Sequence, residues 1–177
     1  YGLGHYSVST AGVVIAGEPE TREMFDWILA CNPTYDRNSV RTAYPGGDFL
    51  ARMLDTIDRD GMGNEAGPNY NAIWLKMLYR VADDMLLYED GGDKYNLYMN
   101  PKFLQSFLNY GSLILSDSHH VQIGDSGATA SLDFLTNNAM YISVWNAVKN
   151  TPYARRVAQT LYITNRYSVS NLSYTIF

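Results

Sequence analysis

Prolines that precede amphipathic segments limit the folding of this chain more than any other feature of its sequence. Four of its six prolines stand before segments in which apolar residues recur every three or four positions: Pro19, Pro68, Pro101 and Pro152. Proline has a fixed φ angle and no backbone N–H, so it suits the first turn of a helix and disrupts a helix interior. The four segments therefore predict helices over 19–31, 69–89, 101–115 and 153–165.

Three more segments carry the same spacing, and polar turns separate them. Helices are predicted over 6–16, which Gly17 ends, over 47–59 and over 129–149. Loops are predicted over 32–46 and over the glycine-rich stretch 59–68. Six or seven helices with short connections predict an all-α fold of antiparallel helical hairpins, in a single domain over residues 1–177.

Composition and charge exclude several classes of protein. The 177 residues are 46% apolar and 18% charged, which excludes intrinsic disorder and allows a sizeable core. The net charge is −5, from 13 basic and 18 acidic residues, so no nucleic-acid partner is expected. No apolar run approaches the roughly 20 residues of a membrane span. The single cysteine, Cys31, excludes an internal disulfide and a multi-cysteine zinc site.

The stretch DRDGMGNEAGPNYNAIW (58–74) carries the densest set of polar side chains that could do chemistry. It places five of them around a glycine-rich turn and the predicted start of a helix: Asn64, Glu65, Asn69, Tyr70 and Asn71. The free N–H groups of that helix start create a positive field, which favours an ionised tyrosine and attracts a substrate carboxylate. A purely structural interpretation is also open, in which Glu65 caps the helix and Tyr70 packs with only its hydroxyl in water.

Three stretches in this order resemble the heparinase II/III-like polysaccharide lyases. DGMGNEAGPNYN is similar to the family turn D-G-x-x-x-E-x-x-x-x-Y, with Asp60, Gly61, Glu65 and Tyr70 at the named positions. HVQIGDSG (120–127) resembles a later loop of the family, and GHYSVSTAGVVIAGEPETREM (4–24) resembles its earlier helix. Each motif is short, and their order and spacing carry the resemblance.

The resemblance implies a fold, an activity and a set of partners. The fold is an incomplete (α/α) ring of helix pairs followed by a β-sandwich, and the activity is metal-independent β-elimination at a uronic acid in an acidic polysaccharide. It implies no cofactor and a periplasmic or secreted location. Because 177 residues are too few for a whole ring and a sandwich, we expect this chain to be part of a larger enzyme, inactive alone, that needs a C-terminal β-sandwich domain or companion chain.

The resemblance also assigns roles to individual residues. Tyr70 corresponds to the residue that transfers protons, His5 stands at the start of the earlier helix, and Glu65 supports the site. We expect further polar side chains to contact the substrate, namely Asn64, Asn69, Asn71, His119, His120 and Asp125. The two adjacent histidines are equally consistent with a solvated loop. Three histidines without a His-x-x-x-His pattern predict no protein-built metal site.

Two other functions stay open. A glycoside hydrolase on a similar helical ring would need two carboxylates, which Glu65 with Asp125 or Asp60 could supply. A non-catalytic domain that binds glycans, or only its partner domain, needs no such pair. The products distinguish these functions, because a hydrolase adds water and leaves no double bond.

Overall fold

The computed structural model describes residues 2–30, 47–50, 57, 61, 63, 68–111, 121 and 138–164. Regular structure within these residues is helical, which confirms the all-α prediction. The α-helices are α1 (Gly2–Val14), α2 (Pro19–Leu29), α3 (Pro68–Leu86), α4 (Pro101–Tyr110), α5 (Asn138–Val148) and α6 (Ala154–Thr164). Two short 3₁₀ helices, Glu89–Tyr95 and Leu97–Met99, connect α3 to α4.

The helix starts follow the prolines. Pro19, Pro68 and Pro101 are the first residues of α2, α3 and α4, as the sequence predicts. Asn100 caps α4, because its side-chain oxygen accepts hydrogen bonds from the backbone N–H groups of Lys102 (3.0 Å) and Phe103 (3.1 Å). Prolines predict these helix starts because the fixed φ angle and the missing N–H of proline act within one turn and need no partner from elsewhere in the chain.

The predicted helix over 47–59 is wrong at its C-terminal end. Phe49 and Leu50 have helical backbone, but Ile57 forms an isolated antiparallel bridge with Gly63. The chain therefore turns back between these two residues. Gly61 has φ +92°, and a Cβ there would lie 2.7 Å from the backbone of Gln105, so only glycine fits this close approach to α4.

Helices α1 and α2 form an antiparallel hairpin, whereas α1 and α3 run in the same direction. The Thr21 hydroxyl at the start of α2 donates to the Gly12 carbonyl near the end of α1 (3.2 Å). Along α3, Arg80 lies beside Tyr6, and Asp84 lies four residues later beside Thr10. Contacts that advance together along both helices indicate parallel neighbours.

The core is built around α3, which packs against α1, α4, α5 and both 3₁₀ helices. The spacing of apolar residues predicts a buried stripe along this helix of Ile73, Met77, Val81 and Met85, flanked by Trp74, Leu78 and Leu86. Val81, Met85 and Leu78 are buried, whereas Ile73 and Leu86 are exposed. The buried face instead includes small residues that allow neighbours to approach closely. It consists of Ala72, Leu75, Leu78, Tyr79, Val81, Ala82 and Met85. In α2 the spacing predicts one apolar face of Met24, Trp27, Ile28 and Cys31. Ile28 is buried as predicted, whereas Trp27 is exposed and Phe25 is buried in its place.

Two adjacent aspartates near the end of α3 accept hydrogen bonds from hydroxyl groups on two different sides of the helix. One Asp84 oxygen accepts hydrogen bonds from Ser9 (2.7 Å) and Thr10 (3.0 Å) of α1. The Asp83 oxygens accept from Tyr98 (2.8 Å) and from Ser143 of α5 (2.5 Å). Consecutive residues of a helix point about 100° apart, so one pair of carboxylates ties α3 to three neighbours, namely α1, the 3₁₀ helix Leu97–Met99 and α5.

Candidate functional site

Tyr70 lies in the first turn of α3, where the sequence placed it. The residue is 45% exposed, so its ring is not sealed in the core. The first N–H groups of a helix have no partners within that helix and carry its positive dipole end. Tyr70 therefore combines an exposed ring with a place at the positive end of a helix.

The turn that precedes Tyr70 is fixed to the helix start by Asn71. The Asn71 side-chain oxygen accepts a hydrogen bond from the Gly63 N–H (3.1 Å), and Asn71 itself is buried. A Cβ on Gly63 would lie 2.6 Å from that oxygen, so a larger residue there would displace the Asn71 side chain. The observed role of Asn71 is to position the turn, and its predicted contact with a substrate stays a prediction.

Tyr110 holds the same helix start from the side of α4. Its hydroxyl donates to the Pro68 carbonyl (3.2 Å), and the residue is buried. Burial raises the pKa of Tyr110 well above its ordinary value, so the hydroxyl stays protonated as a donor. The segment that presents Tyr70 is thus anchored by side chains of two helices.

Five of the predicted site residues lie outside the described residues: Asn64, Glu65, His119, His120 and Asp125. The backbone of Asn69 belongs to α3, but its side chain is also outside the description. The roles assigned to these six residues stay predictions.

His5 is buried at the junction of α1, α2 and the segment that begins at Gly47. Its Nε2–H donates to the Gly47 carbonyl (2.6 Å), because a carbonyl can only accept. Its ring meets Phe49 edge-on with centroids 5.3 Å apart and lies 6.3 Å from the ring of Trp27. The geometry therefore explains His5 as a tie between distant parts of the chain.

The structure does not bring His5 and Tyr70 into one site. The neighbour of His5, Tyr6, lies beside Arg80, which is ten residues or about 15 Å along α3 from Tyr70. The sequence placed both residues at helix starts but could not show that α1 begins beside the middle of α3. The predicted shared role of these two residues in catalysis is corrected accordingly.

A small depression lies beside the turn, lined by Gly61, Gly63, Asn71, Trp74 and Ser106 among others. It encloses about 150 Å³ of empty space, part of it open to solvent. Small-molecule sites usually enclose roughly 300–1,000 Å³. The depression is therefore smaller than a usual small-molecule site.

The sequence analysis did not identify two cations on α3, the helix whose first turn contains Tyr70. Lys76 and Arg80 are half-buried and one turn apart on α3. The Arg80 guanidinium lies over the Tyr6 ring, 5.0 Å from its centroid. The available signal was the spacing of Tyr70, Ile73, Met77 and Arg80, which is three, four and three residues. The same helical spacing continues from Ile73 and Met77 to Val81 and Met85, which favours a core stripe.

Comparisons with protein-family models, with curated proteins and with solved structures found no match. Among the described helices, none combines the length and the apolar character needed to cross a bilayer. The described ranges also contain no group of three or more His, Cys, Asp or Glu side chains arranged to hold a metal ion.

Proposed function

We propose that this chain is the helical part of a polysaccharide lyase that cleaves a uronate-containing glycan by β-elimination, with Tyr70 as the proton-transfer residue. The observation that carries the proposal is the exposed phenol at the start of α3, on a segment anchored by Asn71 and Tyr110. Anchoring matters because a catalytic group has to be held close to its productive geometry before the substrate arrives.

The reaction requires three tasks of the site. A base removes the proton at C5, the C4–O4 bond breaks as its electron pair leaves with O4, and a C4–C5 double bond forms. The departing O4 takes up a proton from an acid, and Tyr70 serves as the base, as the acid or as both. The first N–H groups of α3 stabilise negative charge that develops on the sugar carboxylate or on the phenol oxygen. Glu65 and Asn64, which follow Gly63 in the chain, complete the contacts with the sugar in this proposal.

The direction of the helices supports the ring arrangement. Successive antiparallel hairpins that stand side by side bring the first helix of one hairpin parallel to an equivalent helix of the next. Helix α1 has this relation to α3, with α2 antiparallel to α1. We propose that a β-sandwich domain or companion chain completes the enzyme, which acts in the periplasm or after secretion.

The test is elimination activity with and without the Tyr70 hydroxyl. The protein, together with the β-sandwich domain or companion chain that completes it, is incubated with uronate-containing polysaccharides, and the ultraviolet absorbance of the unsaturated uronate is followed. Tyr70→Phe should lower the rate by at least about 100-fold, because one proton-transfer group contributes that much. Tyr153→Phe is the matched control, since Tyr153 is 47% exposed and lies before α6, and it should retain the wild-type rate.

Product analysis decides between the proposal and its rivals. Cleavage that produces new reducing ends without absorbance indicates a hydrolase. Glycan binding that depends on Tyr70 without any cleavage indicates a binding domain. Either result overturns the lyase proposal, as does an unchanged rate in Tyr70→Phe with an unchanged helical circular dichroism spectrum.

A further inference from the structure

Positive charge is concentrated towards the C-terminal end of the chain. Residues 134–177 contain four of the 13 basic residues and none of the 18 acidic ones. Three of these four lie in α6 or in the turn that precedes it: Lys149, Arg155 and Arg156. Helix α6 packs against α5, which has no charged residue of either sign. The hairpin of α5 and α6 is therefore positive and contains no acid that could neutralise it.

The outward face of α6 presents one of these charges beside an aromatic ring. Arg155, Gln159 and Tyr162 recur at steps of four and three residues, which places them in one row. All three are exposed, Tyr162 to 62%. Among the residues that the structure describes, none forms an ion pair or hydrogen bond with the Arg155 side chain, whereas Arg156 donates to Asn109. Arg155 is therefore available to a partner.

Helix α2 presents a row of the opposite charge. Glu20, Glu23 and Trp27 recur at steps of three and four residues, and all three are exposed, Trp27 to 38%. The buried His5 ring lies 6.3 Å from that of Trp27 and supports its position. The row therefore joins two carboxylates to an aromatic ring that is held in place.

Two basic side chains lie close to α2, but both are paired with a different acid of this helix. The Arg22 Nε atom lies 3.9 Å from one Asp26 oxygen, and Lys94 donates a hydrogen bond to the other. Neither Glu20 nor Glu23 has an ion pair in the described part of the chain. The row on α2 therefore stays negative.

The two rows match in length, charge and spacing. Helices α2 and α6 each have 11 residues. In each row a charge stands seven residues, or about 10.5 Å, before an aromatic ring. Two such helices side by side in the same direction bring Glu20 and Glu23 to Arg155. The same alignment places Trp27 against Tyr162, so ion pairs and a contact between aromatic rings form together.

We propose that α6 of one copy of this chain docks on α2 of a second copy, with Arg155 beside Glu20 and Glu23 and the Tyr162 ring against Trp27. Both rows are exposed in the single chain, so they are accessible to a second copy. The contact joins two different surfaces, so each pair of copies keeps a free α2 and a free α6, and the contact can repeat. This inference does not depend on the proposed function.

The size of the contact determines how strong the association can be. Stable interfaces bury roughly 1,200–2,000 Å² of total surface, which is more than one pair of 11-residue helices provides. Ion pairs between exposed side chains are weakened by salt. We therefore expect self-association that is weak, depends on protein concentration and decreases as the ionic strength rises.

The test is sedimentation velocity of the complete protein over a range of concentrations at low and high salt. Arg155→Glu and Glu20→Lys/Glu23→Lys should each weaken self-association about tenfold or more, because like charges then face each other. An equimolar mixture of these two variants should associate again, since every contact between them pairs opposite charges. Lys149→Glu is the matched control: it makes the same charge change at an exposed position outside the row and should keep the wild-type affinity.

The remaining outcomes overturn the proposal. A protein that stays monomeric up to about 1 mM at low salt has no such contact. A mixture that does not recover association, or an equal loss in Lys149→Glu, means that the two rows do not meet. Monomers that bind an acidic polysaccharide through Arg155 assign α6 to a glycan instead. Elimination activity is measured separately, so the lyase proposal can fail while this contact stands, and the reverse.

Discussion

At the scale of single residues, the position of a side chain decides its role more than its chemical type does. The sequence identified His5 and Tyr70 as catalytic candidates by their residue types and motifs. The structure buries His5 against a carbonyl 42 residues away and leaves Tyr70 at the surface. A partner so distant in the chain, across the predicted loop 32–46, leaves no local signal in the sequence.

We expect His5→Leu to lower the free energy of unfolding by about 1–3 kcal/mol, because it leaves the buried Gly47 carbonyl without a donor. Denaturant unfolding measures this change. Ser7→Ala is the control, since Ser7 is exposed on the same helix and its replacement should change the free energy of unfolding by less than about 0.5 kcal/mol. If His5→Leu keeps the free energy of unfolding of the wild type but loses turnover, the prediction is wrong and His5 has a catalytic role.

At the scale of elements, the sequence predicted helix starts well and buried faces less well. Pro19, Pro68 and Pro101 begin helices because the geometry of proline acts within one turn. The buried face depends on neighbouring elements that the spacing of apolar residues does not identify. Ile73 therefore lies at the surface, and Ala72 beside it lies in the core. The two cations of α3 were missed for the same reason.

The hydrogen-bonded Asp83 gives a pH dependence with a definite sign. Burial raises the pKa of Asp83, against hydrogen bonds from Ser143 and Tyr98 that lower it, so its folded pKa lies above the ordinary value of 3.8. Between those two values the folded state binds more protons than the unfolded state does. This carboxyl therefore contributes a free energy of unfolding that falls as the pH rises through its folded pKa.

Asp83→Asn should remove this contribution and keep an oxygen acceptor at the same place. The free energy of unfolding of the variant minus that of the wild type should increase as the pH rises above 3.8. Urea unfolding at a series of pH values measures the difference, in which titrations common to both proteins, such as that of Asp26, cancel. A difference that is constant or that decreases with pH contradicts the prediction.

At the scale of the whole molecule, α3 organises the packing of the described residues. It packs against three other α-helices and both 3₁₀ helices, and its buried face contains Met85. The all-α class could be predicted from sequence because helical spacing recurs along the whole chain. The arrangement of hairpins around α3 could not be predicted, because it depends on which helix faces of distant segments pack against each other.

We expect Met85→Ala to lower the free energy of unfolding by about 2–5 kcal/mol, since it opens a cavity where several elements meet. Leu87→Ala is the matched control, because Leu87 is 65% exposed, and it should change the free energy by less than about 0.5 kcal/mol. Thermal unfolding followed by far- and near-ultraviolet circular dichroism should show one coincident transition for both variants. Similar losses in the two variants would mean that α3 is not the centre of the core.

The two aspartates near the end of α3 also have a consequence for its opposite end. Asp83 and Asp84 accept hydrogen bonds from neighbouring elements in two different directions, so these bonds oppose rotation of α3 about its own axis. The direction in which each other side chain of α3 leaves the helix is then fixed too, including that of Tyr70 more than three turns away. The orientation of Tyr70 therefore depends in part on hydroxyl contacts that a ligand at Tyr70 does not reach.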